Sequence, residues 1–178
     1  LKDNKARDEL ELDINEMTAM LDSYVSFVKT ESPETIENIE INEVIRECIK
    51  KLVDVNFDIK IKHKDDINTS GRPIQLKRAF QNIIDNSRRY ASKIVIKIFL
   101  NKNGCNIEFN DNGQGIPADK FEDVFKPFYT LDPARNKLKG ESGLGLTITR
   151  DIIRSHGGEI KLGNSELGGL KLLVLLPT

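Results

Sequence analysis

Four polar side chains recur along one predicted helical face and suit the binding of a phosphorylated ligand. In QLKRAFQNIIDNSRRYA, residues 75–91, they are Arg78, Asn82, Asn86 and Arg89. Their spacings of 4, 4 and 3 place them on one face of a helix. An amide oxygen can ligate Mg²⁺ without adding negative charge beside phosphates, and guanidinium groups match phosphate oxygens. The alternative is a polar surface that carries two asparagines by chance.

A second candidate lies where a predicted strand ends. In IEFNDNGQGIPADKF, residues 107–121, Asp111 closes the strand and Gly113 and Gly115 follow. GQGIPA fits the pattern of dinucleotide sites, but Pro117 interrupts it, and the long helix and second acidic residue of that site are missing. A carboxylate held at a strand end suits a hydrogen bond from an exocyclic amine, and the glycines let a flat ring approach. A surface hairpin loop is the alternative.

A third candidate is GESGLGLTITRDIIRSHGG, residues 140–158, where glycines precede an amphipathic run. Free N–H groups at a helix start bind anions, whereas a plain turn or helix C-cap is the alternative. The preceding loop, residues 126–141, carries four basic and two acidic residues, a net +2 in a chain of net charge −1. Its length and charge favour a lid over an anion, with a solvated loop as the alternative.

Other chemistries find no support in the sequence. It contains no P-loop and no H-R-D or D-F-G signature of eukaryotic-type protein kinases. We interpret His63 and His156 as structural, since no Ser/His/Asp or Cys/His arrangement surrounds them. Cys48 and Cys105 lack metal-ligand spacing and are expected to be reduced and buried, although a disulfide remains open. The net charge of −1 favours neither nucleic acid nor a membrane surface as a partner.

These candidates must be positioned by an α+β fold, a two-layer α/β sandwich with helices on one face of a mixed or antiparallel sheet. Strands are predicted in TIENIEI, FDIKIKHK, KIVIKIFLN, CNIEFND, GEIKLGN and GLKLLVLLP. Helices are predicted in NEVIRECIKKLVDV and over residues 74–91 and 143–156, with one helical turn in ADKFEDVF. The third and fourth strands should form a hairpin at Asn103-Gly104.

Residues 1–32 differ in character from residues 33–178 and are predicted to form a separate unit. Leu10, Ile14, Met17, Leu21, Tyr24 and Val28 make a heptad stripe, which ends before Ser32-Pro33. Such a helix needs a partner to bury its stripe, and folding back on its own domain is the alternative. Because Leu1 enters this pattern without a visible start, we expect the chain to be a fragment of a longer protein.

Together these segments resemble the ATP-binding domain of sensor histidine kinases, in the GHKL superfamily that also includes Hsp90, gyrase and MutL. NIIDNSRRYA resembles the asparagine box, DNGQGIP the first glycine box, FKPF the phenylalanine box and GESGLGL the second glycine box. The resemblance covers about residues 36–177. Residues 10–30 resemble the second helix of the dimerisation and phosphotransfer hairpin. DPARN and the ending GNSELGGLKLLVLLP are most similar to EnvZ-like kinases.

The resemblance implies a role for each motif, with ATP and Mg²⁺ as ligands. Asn82 and Asn86 would hold Mg²⁺, and Arg89 would reach the phosphates. Tyr90 would pack on the adenine side, where Asp111 would read the amine beside Gly113, Gly115 and Ile116. Phe125 and Phe128 would anchor the lid, and Arg135 would touch the γ-phosphate. The residues that would wrap the phosphates are Ser142, Gly143, Leu144, Gly145 and Leu146.

Three departures from the family pattern qualify these roles. Thr130 stands where relatives usually carry arginine, and Lys137 or Lys139 would have to substitute. Glu141 occupies the first glycine position of the second glycine box. The phosphoacceptor histidine, followed by Glu or Asp, is absent and would lie just upstream of Leu1.

The resemblance therefore implies the catalytic part of a two-component kinase that phosphorylates a histidine supplied on another chain. Implied partners are a second copy, through the hairpin helices, and a response regulator receiver domain; nucleic acid and direct membrane contact are not expected. Its implied location is the cytoplasmic part of a membrane-anchored sensor. Two alternatives stay open: a non-catalytic nucleotide-binding or dimerisation module, and an ATPase of the chaperone or repair type.

Overall fold

A computed structural model of the chain describes residues 34–178, except 51, 53–55 and 132–142, together with positions 14, 17 and 18. The strands are β1 (Glu37–Glu40), β2 (Asp58–His63), β3 (Asn68–Gly71), β4 (Lys93–Asn101), β5 (Gly104–Asp111), β6 (Glu159–Asn164) and β7 (Leu170–Leu176). The helices are α1 (Ile41–Lys50), α2 (Pro73–Tyr90) and α3 (Gly145–Ser155), with 3₁₀ turns at Ala118–Lys120 and Asp123–Phe125.

The sheet has five strands in the order β2-β4-β5-β7-β6, and β1 pairs with β3 in a separate two-stranded ribbon. It is mixed, because β2 runs parallel to β4 whereas the other neighbours are antiparallel. The helices cover one face, which confirms the predicted two-layer α+β fold. Strand β3 was not predicted, because its sequence NTSG has no apolar alternation; pairing with β1 imposes the extended backbone.

The core lies between this sheet and the helices. Alternate residues of β4 and β5 point into it, among them Ile94, Ile96 and Phe109. The predicted hairpin is confirmed, with Asn101 opposite Gly104. Both cysteines are free and buried, as expected. Burial raises the pKa of the Cys48 thiol to about 11 and that of Cys105 to about 12, so both stay protonated and unreactive at neutral pH.

Helix α2 carries the candidate polar face and is fixed from the other side by apolar residues. Pro73 opens it, as predicted, and Leu76, Phe80 and Ile83 are buried. The prediction that Ala91 continues the buried stripe was wrong, because the helix ends at Tyr90 and Ala91 is an extended, half-buried cap. Helix α3 packs against α2.

The first turn of α2 is held by two side chains that are distant in sequence. The Glu34 carboxylate accepts hydrogen bonds from Ile74 N at 2.5 Å and Gln75 N at 3.3 Å. His156 Nε2 accepts from Arg72 N at 2.9 Å, and its Nδ1 lies 2.7 Å from Ile152 O, to which it donates. This supports the interpretation of His156 as structural, because both ring nitrogens bind backbone.

We expect the free energy of unfolding to decrease as the pH falls below about 6.5, the ordinary histidine value. Burial lowers the pKa of His156, mainly by disfavouring the imidazolium, and protonation of Nε2 would remove the acceptor for Arg72 N. The unfolded state therefore binds a proton more readily than the folded state does. The contribution of His156 to the free energy of unfolding is fully present only above this pH.

Denaturant titrations between pH 5 and pH 7 test this expectation. His156→Gln should lower stability and flatten the slope of stability against pH. An unchanged slope in His156→Gln would show that other groups cause it.

Several sequence-based predictions fall outside the described residues. They include the heptad helix, apart from Ile14 and Met17, which are exposed. The site residues Arg135 and Ser142 also fall outside, as do Lys137, Lys139 and Glu141. Among the helices that the structure describes, none has the length and apolar character needed to cross a bilayer.

Candidate functional site

The carboxylate of Asp111 is buried at the end of β5 and fixed by backbone groups. Its Oδ1 accepts hydrogen bonds from Gly113 N at 2.9 Å and Leu170 N at 3.0 Å. Oδ2 has no hydrogen-bond donor among the described residues. A buried carboxylate with one oxygen held and the other available can accept a hydrogen bond from a ligand donor.

The glycine loop after Asp111 runs close to the end of α2. A Cβ at Gly113 would lie 2.7 Å from Tyr90 O, so only glycine fits between the loop and the helix. Gly115 adopts a φ of +70°, which favours glycine. Ile116 and Tyr90 are both half-buried at this edge. Of the predicted adenine-side residues, Gly113 thus lies against both Tyr90 and Asp111.

The asparagine face of α2 meets the start of α3. Asn82 Nδ2 donates to Gly145 O at 3.2 Å, and Thr149 Oγ1 donates to the same oxygen at 2.8 Å. Asn86 is half-buried one turn further along α2, and Arg89 is exposed. The two segments predicted to contact phosphates are thus joined by a direct hydrogen bond.

The start of α3 has the features that the predicted anion site requires. No described side chain caps it at Leu144, and its first turn holds no acidic residue, so no described side chain competes for the helix N–H groups there. A Cβ added at Gly145 would meet nothing within 4 Å. The protein's own packing thus does not require glycine at this position. Leu146, next along the helix, is half-buried.

Gly143 has a different role from Gly145. It adopts a φ of +63°, and a Cβ there would lie 2.8 Å from the carbonyl carbon of Phe128. Phe128 has a φ of 62°, donates its N–H to Gly143 O at 3.2 Å and is exposed. A left-handed phenylalanine is an uncommon conformation that is held here by this contact. The phenylalanine box and the glycine segment are therefore packed backbone to backbone.

Phe125 is fastened to α3 by two residues that sequence reasoning missed. Phe125 O accepts hydrogen bonds from Thr147 Oγ1 at 2.9 Å and Arg150 Nη2 at 3.3 Å. The Arg150 guanidinium also lies 4.7 Å from the centroid of the buried Phe125 ring and pairs with Glu122 at 3.5 Å. Both residues lie on α3. Their contact with Phe125 joins positions that are far apart in the sequence, so no local sequence pattern indicates it.

A third missed residue is Gly169, in the turn between β6 and β7. A Cβ there would lie 2.2 Å from Asp111 Oδ1 and 2.4 Å from Gly113 N. The Gly168-Gly169 pair is visible in the sequence, but only the fold brings it to Asp111.

Charged groups near the site are paired on the phenylalanine-box side. The pKa of Asp123 is lowered, chiefly by its hydrogen bond from Lys126. Lys120 contacts Asp119 and Asp123 and has a raised pKa, with Tyr129 as the largest cause. Thr130, where an arginine was expected, is half-buried. The described residues hold no cluster of three or more His, Cys, Asp or Glu side chains able to bind a metal.

Comparisons with known proteins show which family the chain resembles. The family model described as histidine kinase-, DNA gyrase B-, and HSP90-like ATPase matches residues 71–178. Sensor histidine kinase CpxA of Escherichia coli (strain K12) is 40% identical over 108 residues, which are 60% of this chain and 24% of CpxA. Sensor histidine kinase GtrS of Pseudomonas aeruginosa is 27% identical over 180 residues, 99% of this chain and 37% of GtrS.

Among solved structures, the catalytic domain of histidine kinase ThkA superposes with a TM-score of 0.70 at 25% identity. The superposition covers 80% of this chain and 95% of that domain. The chain spans only about a quarter to a little over a third of the length of the two curated relatives.

Proposed function

The chain belongs to the family of histidine kinase-, DNA gyrase B-, and HSP90-like ATPases, and on this premise we propose that it is the ATP-binding catalytic portion of a two-component sensor histidine kinase. Its membership confirms the resemblance seen in the four ordered motifs. The observation that carries the proposal is the hydrogen bond from Asn82 to Gly145 O. This hydrogen bond joins the face of α2 that carries Asn82 and Asn86 to the uncapped N-terminus of α3. The glycine loop that follows Asp111 lies at the C-terminal end of the same helix α2.

In the proposed complex, the Asp111 carboxylate accepts a hydrogen bond from the adenine amine. Gly113, Gly115, Ile116 and Tyr90 surround the base. The N–H groups at Leu144, Gly145 and Leu146 bind phosphate oxygens, favoured by the positive end of the α3 dipole. Arg89, Ser142 and Arg135 are assigned to the phosphates by resemblance alone.

The residues present fit Mg²⁺ as the accompanying ion, because amide oxygens are hard ligands that add no charge. Asn86 is the principal candidate ligand. Asn82 supplies a second oxygen, since its amide nitrogen is already used for Gly145 O. When bound, Mg²⁺ offsets negative charge on the phosphates. The chain itself orients the nucleotide through α2 and α3.

The proposed reaction is transfer of the γ-phosphoryl group to a histidine on a hairpin helix of another chain. The unprotonated ring nitrogen forms a bond to the γ-phosphorus, the bond from that phosphorus to the β-phosphate oxygen breaks, and ADP leaves; the proton of the other ring nitrogen passes to the acidic residue that follows the histidine on the hairpin. The phosphoryl group then passes to an aspartate of a response regulator. A homodimer formed through hairpin helices and a cytoplasmic position in a membrane-anchored sensor belong to the same proposal.

The test is transfer of label from γ-labelled ATP to a separately supplied hairpin that carries a histidine followed by glutamate. We expect acid-labile label on that hairpin, and none when its histidine is replaced by glutamine. Binding of ATP without transfer would favour the non-catalytic module. Steady ATP hydrolysis without any hairpin would favour an ATPase of the chaperone type.

A further inference from the structure

The turn between β6 and β7 packs directly against the Asp111 carboxylate. Ser165 N donates to Gly169 O at 2.9 Å, and Gly168 N donates to Ser165 O at 3.0 Å, so the turn is closed by its own backbone. Ser165 is buried, and its Oγ accepts from Leu167 N at 3.0 Å. Glu166 pairs with Lys97 of β4 at 3.0 Å, which ties the turn to the sheet. The turn is therefore held by hydrogen bonds within its own backbone and by the ion pair between Glu166 and Lys97.

Within this turn, Gly169 lies directly against Asp111. A Cβ at position 169 would lie 2.2 Å from Asp111 Oδ1, 2.4 Å from Gly113 N and 2.7 Å from Asp111 O. Gly113 N and Asp111 O are backbone atoms, and Asp111 Oδ1 is held by hydrogen bonds from Gly113 N and Leu170 N, so a Cβ at position 169 would displace the carboxylate from these donors. The next residue, Leu170, donates its N–H to the same Oδ1. The absence of a side chain at 169 is thus what allows Oδ1 to reach both N–H donors.

We infer that Gly169, acting with the N–H groups of Gly113 and Leu170, determines base specificity at this site. In this arrangement Asp111 Oδ1 accepts hydrogen bonds from backbone N–H groups, and Oδ2 is the acceptor that faces the base. Because a carboxylate oxygen accepts hydrogen bonds and donates none, Oδ2 selects a purine with an exocyclic amine over one with a carbonyl group at that position. Gly169 is a positioning residue, since it acts through Asp111. The inference rests on the proposed nucleotide-binding function.

The arrangement also fixes how an amide at position 111 would sit. In Asp111→Asn, which keeps the shape of the side chain, the amide oxygen must take the place of Oδ1, because two N–H donors face it. The amide nitrogen then replaces Oδ2 and donates instead of accepting. Such a group opposes an exocyclic amine and matches a carbonyl oxygen.

The experiment compares the affinities of ATP and inosine triphosphate, both with Mg²⁺, by displacement of a fluorescent nucleotide. These ligands share the triphosphate and differ at the base. The parent should prefer ATP by about 10- to 100-fold, the range for a hydrogen bond to a charged group. Gly169→Ala should bring the ratio of affinities close to one, mainly by weakening ATP. Asp111→Asn should invert it in favour of inosine triphosphate.

Gly163→Ala is the matched control, because a Cβ on this β6 glycine meets only Lys171 Cε at 3.9 Å. It should keep the parent's ratio. A folded Gly169→Ala that keeps the ratio would overturn the inference, and so would an Asp111→Asn that weakens both ligands equally. If Gly169→Ala does not fold, the ratio of ATP to inosine triphosphate affinities in Asp111→Asn tests the inference.

The parent separates this inference from the function on which it rests. Equal binding of both ligands by the parent would overturn the inference and leave the proposed function standing. Binding of neither would overturn the proposed function, and the inference with it.

Discussion

Replacing Asn86 with alanine is expected to weaken Mg²⁺-dependent binding of an ATP analogue by at least about 100-fold, because even residues that only support metal ligands contribute about 10- to 100-fold. Asn86 lies half-buried on the face of α2 that meets the start of α3. Its amide is assigned to the ion, so the loss should appear only in the presence of Mg²⁺. Titrations with Mg²⁺ and with a chelator separate the two contributions.

Gln81→Ala is the control for this substitution. Gln81 lies on the same helix and is also half-buried, but its position places it on a different face from Asn86. It should bind the analogue as the parent does. If Asn86→Ala lost binding equally with and without Mg²⁺, the assignment of Asn86 to the metal would be wrong and a direct contact with the nucleotide would replace it.

Replacing Gly145 with alanine should separate the requirements of the ligand from those of the fold. A Cβ at this position meets no protein atom within 4 Å, and alanine is favoured over glycine in a helix by about 1 kcal/mol. Stability should therefore be unchanged or slightly higher. The affinity for ATP should fall by about tenfold or more, because the added methyl group occupies space that a phosphate needs beside a helix start.

Gly143→Ala is the matched contrast two residues earlier. Its left-handed backbone, with φ at +63°, disfavours any side chain by about 1–2 kcal/mol. Contact with the Phe128 backbone adds to this. Thermal unfolding should show a loss of stability in Gly143→Ala and none in Gly145→Ala. If Gly145→Ala bound ATP as tightly as the parent, the assignment of the phosphate site to the start of α3 would be wrong.

The contrast between these two glycines shows what the sequence could and could not predict. The pattern of glycines before an amphipathic run predicted an anion site at a helix start, and α3 begins there. It could not predict that the fold requires glycine at position 143 but not at position 145. That distinction depends on Phe128, which lies fifteen positions earlier and meets Gly143 only in the folded chain.

The sheet and the helices were predicted where periodicity is strong. KIVIKIFLN and CNIEFND alternate apolar residues, and their hairpin formed as expected. NTSG carries no such signal, so β3 was missed. Gly169, Thr147 and Arg150 were also missed, since each acts on a residue more than twenty positions away. Local patterns locate elements and motifs, whereas these supporting contacts are created by tertiary packing.

Calorimetric titration of the parent chain with a non-hydrolysable ATP analogue in the presence of Mg²⁺, repeated on Asp111→Ala, tests the proposed nucleotide site directly. We expect the parent to bind one analogue per chain with saturation, and Asp111→Ala to lose that binding, because the buried acceptor for the adenine amine is removed. Absence of binding by the parent would contradict this proposal, as would equal binding by the variant.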